Sequence, residues 1–525
     1  MATLNKALLM TLIALSIAAV PIVAGEKLPV IKLPPIKMPK LKIPELEGQK
    51  KSNVQQGGWN NWGNTAYGTS ALASNTTGSA NTASGYKALT NNDTGHNNTA
   101  IGYEALTLNT SGVEIEGSSN TAVGSGALSD NTKGYYNTAT GRGALNQNTK
   151  GYYNTANGTW ALSNNTTGSH NTASGSAALS NNTGHANTAV GSGALTNNDT
   201  GHNNTATGSG ALGWNYTGNY NTANGGGALA ANLLGSNNNA SGYAALLNNY
   251  NGSNNTASGY QALKENESGF SNVAFGMSAL YNNKGSHNSA SGTGALFTNS
   301  TGERNTAFGM MALYRSTKGS RNTAVGAMAG GLNGNGNDNV FIGYFAGGHK
   351  SYEHQSNKLV IANGSQSTNE LITGDFSTHE VNINGNLHAS GNLTQNSDGR
   401  LKKDIKPLTH ALDSILQLEG KSYRWKEGAT FANKKDIGLI AQEVEIIFPE
   451  LVAENEQGYK GIAYSKLTAV LVEAMKEQQG QMTAQQEQIA ALEKENTQLK
   501  AIMAEQMDAL LARVAMLEGE SLAAN

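Results

Sequence analysis

Few residues of this chain have the type and spacing that chemistry needs. Its ten histidines are scattered, several at the turn position of a repeat (His96, His170, His185, His202), without metal-ligand spacing. They read as exposed turn residues. Cysteine is absent, so the fold relies on no disulfide, no thiolate metal site and no lipid-bearing N-terminal Cys. The glycine-rich run Gly330-Gly331-Leu332-Asn333-Gly334 lacks the Lys-Ser/Thr of a phosphate loop. Polysaccharide cleavage would need clustered carboxylates and aromatics, and the long repeat region is poor in both. The Asn-x-Thr triplets match glycosylation acceptors but follow from the repeat. No cofactor and no metal are expected. There remains Ser397-Asp398, ahead of the basic run Arg400, Lys402, Lys403. On its own, such a pair is an ordinary linker.

The elements that would have to position these residues are unusual. In a chain of 525 residues with 64 Gly, 14% charged and 6% aromatic residues, a conventional core cannot be spread evenly, but a repeat array can be built. The net charge of -2 supplies no field that would recruit nucleic acid. Residues 1–25 read as a signal peptide: Lys6 precedes an apolar run from Ala7 to Val23, which ends in Ala24-Gly25. Residues 26–59 form a Pro/Lys-rich basic spacer. Its Pro29, Pro34, Pro35, Pro39 and Pro44 favour extended, polyproline-type backbone. The basic stretch 26–51 could also attach the chain to anionic envelope material.

Residues 60–348 carry an Asn-Thr-Ala-x-Gly unit, first at Asn64-Thr65-Ala66-Tyr67-Gly68 and last at Asn339, mostly 17 residues apart. Seventeen such units predict a β-solenoid in which each turn stacks on the last. Ala and Leu point inward, Asn residues form amide ladders, and Gly turns the corners. At ~4.8 Å per layer the shaft would be roughly 80 Å long. A turn this short encloses little core, so packing of three chains is expected to bury the remaining faces. The spacing widens to 22 residues between Ala100 and Ala122, around Gly112-Val113-Glu114-Ile115-Glu116, which predicts a loop bulging from the shaft.

The pattern then changes. Residues 349–397 read as a β neck, with strands at Lys358–Ile361, Glu370–Ile372 and Val381–Ile383. Beyond it, Leu408–Leu418 and Ile437–Phe448 have helical spacing, and Ser422–Trp425 reads as a strand. A helix is expected from about Tyr464 almost to the end. Its heptad seam runs from Met475 through Met482, Ile489, Leu492, Asn496, Leu499 and Met503, then stutters to Met507, Leu510, Val514 and Leu517. Asn496 at a core position would fix register at some cost in stability. The fold class is therefore a mainly β repeat solenoid with a C-terminal α+β domain (398–475), ending in a long coiled-coil helix (476–525).

The segment Ser397-Asp398-Gly399-Arg400-Leu401-Lys402-Lys403-Asp404-Ile405 resembles the start of the endosialidase-type intramolecular chaperone domain of phage tail spikes and fibres. Further matches follow in order: Gly438-Leu439-Ile440-Ala441-Gln442-Glu443-Val444, Phe448-Pro449-Glu450-Leu451-Val452, Tyr464, Leu467 and Leu471-Val472-Glu473-Ala474. The shaft looks more loosely like the heads of trimeric autotransporter adhesins. The resemblance implies a homotrimer whose C-terminal domain folds the fibre and then cuts itself off between Ser397 and Asp398, by a Ser397–Lys402 dyad in a single turnover. A Ser hydroxyl needs a base, and Lys serves if burial or cationic neighbours such as Arg400 and Lys403 lower its proton affinity. An extended chain would hold the two ~17 Å apart, so a turn or an adjacent chain must bring them together.

The expected function is thus a secreted, cell-surface homotrimeric fibre or adhesin with a cell-surface or glycan ligand. A phage-like tail fibre is the alternative, and a polysaccharide-degrading spike a weaker one.

Overall fold

The computed structural model describes residues 63–110, 115–364, 370–427, 433–455 and 458–523. The signal peptide and basic spacer expected over 1–59 lie outside the described residues, as do residues 112–114 of the expected loop. Among the described residues, no helix is long and apolar enough to cross a membrane.

Seventeen three-residue strands, Thr65–Tyr67 to Val340–Ile342, stack in parallel as the period predicts. Pairing is in register at one-repeat spacing: Thr65, Ala66 and Tyr67 face Thr82, Ala83 and Ser84. The 22-residue spacing does not disturb it, since Ala100 still pairs with Ala122. Alternation along each strand sends the middle Ala inward. With the following Ala-Leu pair it forms the core, and Ala83, Ala88 and Leu89 recur as fully buried columns. The Leu takes a left-handed conformation (Leu89 φ 55°), which costs an L-residue roughly 1–2 kcal/mol. Burial of its side chain and the bond from Leu89 N to Ala105 O, 2.9 Å away, hold it there. Gly85 (φ 139°) is obligatory for a further reason: a Cβ would collide with the Gly102 carbonyl one turn on.

Three hydrogen-bonded ladders run along the stack. In the first, Asn81 Oδ1 accepts the Asn98 backbone N–H (2.9 Å), while Asn81 Nδ2 donates to the Gly95 carbonyl (2.8 Å). In the second, the turn asparagines join directly, Asn92 Nδ2 to Asn75 Oδ1 (2.7 Å) and also to Gly95 O (2.9 Å). In the third, where the residue two before the motif Asn is Ser, His or Asn, its side chain can accept the backbone N–H of the preceding turn. His202 Nδ1 accepts from His185 N (2.9 Å), Asn219 Oδ1 from His202 N (2.7 Å) and Ser236 Oγ from Asn219 N (3.1 Å). His96, His185 and His202 are therefore ladder acceptors, in a repeat column that is mostly Ser, His or Asn.

The last turns show how the core compensates for exceptions. Gly330 and Gly347 replace the inward Leu, and Phe341 replaces the inward Ala. The Phe341 ring fills the vacated space, so that a Cβ on either glycine would meet it. The neck strands form where expected. Lys358–Ala362 pairs in parallel with Val340–Ile342, extends the stack by one layer and buries Val360. Glu370–Asp375 and Glu380–Ile383 follow antiparallel. The Lys358–Asp375 ion pair (2.7 Å), both side chains mostly buried, clips the first two together.

The C-terminal α+β region contains two hairpins, Lys421–Arg424 with Lys435–Gly438 and Val452–Glu454 with Lys460–Ile462. Short helices span Ala411–Ile415 and Ala441–Ile447, and the long helix Tyr464–Ala523 closes the chain. The helix expected over Ile437–Phe448 is shorter at its start, because Ile437 and Gly438 belong to a strand. The helical spacing of Leu408–Leu418 likewise yields only five helical residues. A small core of Ala411, Val444, Phe448, Leu451, Val470 and Ala474 joins these elements.

Two outcomes are expected. Ser316 interrupts the second ladder, and buried Asn299 Oδ1 and Ser316 Oγ have no hydrogen-bond partner. Ser316→Asn should restore the rung and stabilise the shaft by about 1–3 kcal/mol, read as a higher denaturant midpoint; a lower midpoint would reject the ladder account. Second, burial, then the nearby His202 and His170, hold His185 below the ordinary histidine range. A histidine depressed in this way binds protons more readily when unfolded. Its contribution is therefore present above pH ~6.5 and lost as pH falls below that value. His185→Asn, which keeps an acceptor as at Asn219, should flatten the fall in melting temperature between about pH 7 and 5; an unchanged slope would exclude His185 as the cause.

Candidate active site

Residues 384–410 leave the neck as irregular, exposed chain, and Ser397 lies within them. Asp398 caps a single 3-10 turn, Gly399–Leu401, its Oδ1 accepting the Arg400 N–H at 2.9 Å. Leu401 N then bonds Asp398 O (3.1 Å) and Lys402 N bonds Gly399 O (3.1 Å). This turn shortens the path from residue 397 to 402, and Lys402 Nζ donates to Ser397 Oγ at 2.7 Å. The two residues singled out in the sequence meet within one chain, so the extended-chain separation does not apply.

Arg400 has a different position from the one expected. Its Nη2 sits 2.6 Å from Asp398 Oδ2 and its Nε within 3.1 Å of both oxygens, so its charge faces Asp398. The guanidinium holds the Asp398 carboxyl below the usual range, reinforced by the Arg400 backbone N–H. Asp398 therefore follows Ser397 as an ionised cap that fixes the turn. A Ser hydroxyl within reach of a Lys amine, both exposed, is the arrangement from which a base-assisted attack on a carbonyl could start.

Support for this segment comes from the long helix. Gln395 and Ser465 exchange side-chain hydrogen bonds (Nε2 to Oγ 3.0 Å), tying the chain just before Ser397 to the start of the helix. Tyr464 Oη accepts the Leu439 N–H at 3.0 Å. Glu477 accepts the backbone N–H groups of Ala411 (3.1 Å) and Leu412 (2.7 Å). These contacts keep its carboxyl below the ordinary range, with the Leu412 bond the largest cause. Sequence reasoning missed Glu477. The available signal was the absence of a Ser, Thr, Asp or Asn cap before Ala411, which leaves orphan donors for a distant acceptor.

Leu387, Leu393, Leu401 and Ile405 surround Ser397 in sequence and are exposed in the single chain. The helix carries a similar excess: Met475, Met482, Ile489, Leu492, Leu499, Met503, Leu510 and Leu517 are all exposed along the heptad seam.

The comparisons with known proteins bear on this end of the chain and on fibres. The chain is 34% identical over 104 residues to the long tail fiber protein Gp37 of Salmonella phage S16, covering 17% of this chain and 14% of that protein. It is 36% identical over 104 residues to the long tail fiber protein Gp37 of Enterobacteria phage K3, covering 18% and 8%. The chain thus spans 14% or less of the length of these relatives. Residues 397–453 match the family described as the chaperone of endosialidase, so the resemblance drawn from the sequence holds, and the matched segment opens on Ser397 itself.

Proposed function

We propose that this chain is a homotrimeric fibre whose C-terminal domain assembles the trimer and then detaches by one self-cleavage between Ser397 and Asp398. The observation that carries this reading is the 2.7 Å contact between Ser397 Oγ and Lys402 Nζ at the first residue of the chaperone-like segment. The neutral Lys402 amine removes a proton from Ser397 Oγ or from a water. Ser397 Oγ cannot attack its own carbonyl without closing a four-membered ring, so an activated water or the Ser397 of another chain attacks. The C–N bond to Asp398 breaks and the amine leaves with a proton. Net, one water is consumed, leaving a Ser397 carboxylate and an Asp398 amine. A Lys is neutral only when desolvated or placed beside other cations, and in one chain the dyad is exposed. Copies packing on Leu393, Leu401 and Ile405 would cover it, which couples cleavage to assembly.

Trimerisation is supported by the exposed heptad seam, since a 60-residue helix gains most of its stability from packing rather than from propensity. The relatives, both phage long tail fibres, favour a virion fibre. The apolar run Ala7–Val23 behind Lys6 favours instead an exported surface fibre, tethered through the basic 26–51 stretch. Intact mass of the mature chain separates the two, since only export removes residues up to about Gly25.

Purified protein should yield a fragment beginning at Asp398, read by N-terminal sequencing. Ser397→Ala and Lys402→Ala should each abolish it and leave assembly intact. Lys402→Arg should fail as well, because a guanidinium keeps its proton. Appearance of the same fragment from Ser397→Ala protein would assign the cut to another protease. Native mass spectrometry of the Ser397→Ala protein should give three chains. Leu492→Asp with Leu499→Asp should lower that mass and slow cleavage at least tenfold. Full-rate cleavage by a monomer would refute the coupling.

A further inference from the structure

On one edge of the shaft, four successive turns place Asn164, Asn181, Asn197 and Trp214 in a row. Asn181 pairs in register with Asn197, and Asn197 with Trp214. Two residues on, and hence on the same face, run Thr166, Thr183, Asp199 and Tyr216. The row differs from the interior ladders, which recur along the stack, because an outer amide ladder of this length forms only here among the described residues. Asn164 Nδ2 donates to Asn181 Oδ1 (2.6 Å), and Asn181 Nδ2 to Asn197 Oδ1 (2.8 Å). The terminal groups, Asn164 Oδ1 and Asn197 Nδ2, are left to solvent. An open cavity of about 370 Å³ lies over the three asparagines of the row, bounded by Asn164, Asn181, Asn197, Asp199 and Tyr216; Trp214 is not one of its walls.

Trp214 stands at the end of this row and is 54% exposed. Many aromatics of the shaft cover one another: Tyr135 lies on Tyr152 and Tyr136 on Tyr153, with interplanar angles of 2° and 7°. Trp160 has Arg142 over its ring. Trp214 has no stacked ring among the described residues; it meets Tyr216 in an edge-to-face arrangement, ring centres 6.4 Å apart. The corresponding residue of the next turn is Ala231, which offers no ring to stack on the indole. A half-exposed indole near planar amides and a carboxylate is suited to a ligand that is apolar on its ring faces and hydroxylated at its edges.

We infer that this row is a binding site for a linear, uncharged oligosaccharide lying along the shaft. Trp214 stacks against the C–H face of one pyranose. Asn164 Oδ1, Asn197 Nδ2 and the Asp199 carboxylate hydrogen-bond the hydroxyls of its neighbours. The turn spacing of ~4.8 Å is close to the length of one pyranose in an extended chain, so successive sugars meet equivalent turns. Asp199 is the only charged residue in the two rows, which selects against acidic glycans. The site depends on the geometry of a single chain and not on self-cleavage, so the two can fail separately.

The test is calorimetric titration of the full-length protein with cellohexaose, maltohexaose and chitohexaose. At least one should bind with a Kd of about 1 mM or tighter. Trp214→Ala should weaken it tenfold or more, and Asn197→Ala measurably. Trp160→Ala should leave it unchanged. Alanine is tolerated at this column, as Ala231 shows, so loss of binding should come without loss of melting temperature. No binding of any of the three at about 10 mM overturns the inference, as does equal loss with Trp160→Ala. If Trp214→Ala instead lowers the native mass, the row is a contact between copies and the inference is wrong.

Discussion

The whole shaft depends on one constraint: every turn must sit directly on the next at the spacing of a parallel β ladder. The backbone N–H groups, the inward amides and the corner carbonyls of one turn find their partners in the turns next to it. Asn81, for example, donates its backbone N–H to Asn64 Oδ1 on one side and accepts the Asn98 N–H at its own Oδ1 on the other. A buried amide without a partner costs more than a hydrogen bond gains, so a turn cannot leave register without orphaning several groups at once. The same closeness explains the composition. At this spacing only Gly passes the corner at Gly85, and Ala suits the narrow interior, which is why a core can be built from so few large side chains.

Beyond the last turn the constraint ends, and with it the density of contacts. The segment carrying Ser397 is held by the Asp398 cap, the Arg400–Asp398 ion pair and the Gln395–Ser465 contact with the long helix, against dozens of rungs in the shaft. The dyad forms because Asp398 shortens the path from Ser397 to Lys402, a purely local device. What a single chain does not supply is cover. The apolar residues around Ser397 and Lys402 and along the helix seam are both exposed, so in the proposed assembly the cover for a lysine base and the burial of the helix would come from the same partners.

Much of this was legible in the sequence, for a physical reason. Repetition multiplies each weak local preference, so strands, the inward Ala and Leu columns and the amide ladders follow directly from the period. The neck strands at Lys358, Glu370 and Glu380 were equally readable. The non-repetitive region was harder. Ile437 and Gly438 carry a helix-like apolar pattern but pair with Lys421–Arg424, because a distant strand outcompetes local spacing. The contact of Glu477 with Ala411 spans 66 residues, and no local signal can place such an acceptor. Ser397 and Lys402 were identified through resemblance, while the turn that joins them is a backbone property that residue types alone leave open.

The replacement of Leu by Gly330 and Gly347 around Phe341 marks where repetition stops being interchangeable. Elsewhere one turn is much like another, and recombination between repeats could add or remove whole turns, leaving every junction chemically familiar. Near Phe341 the turns are keyed to each other: a Leu-bearing turn inserted beside that ring would collide with it. The shaft can therefore drift in length over generations at its middle, whereas the layer that meets the neck must be inherited as a block.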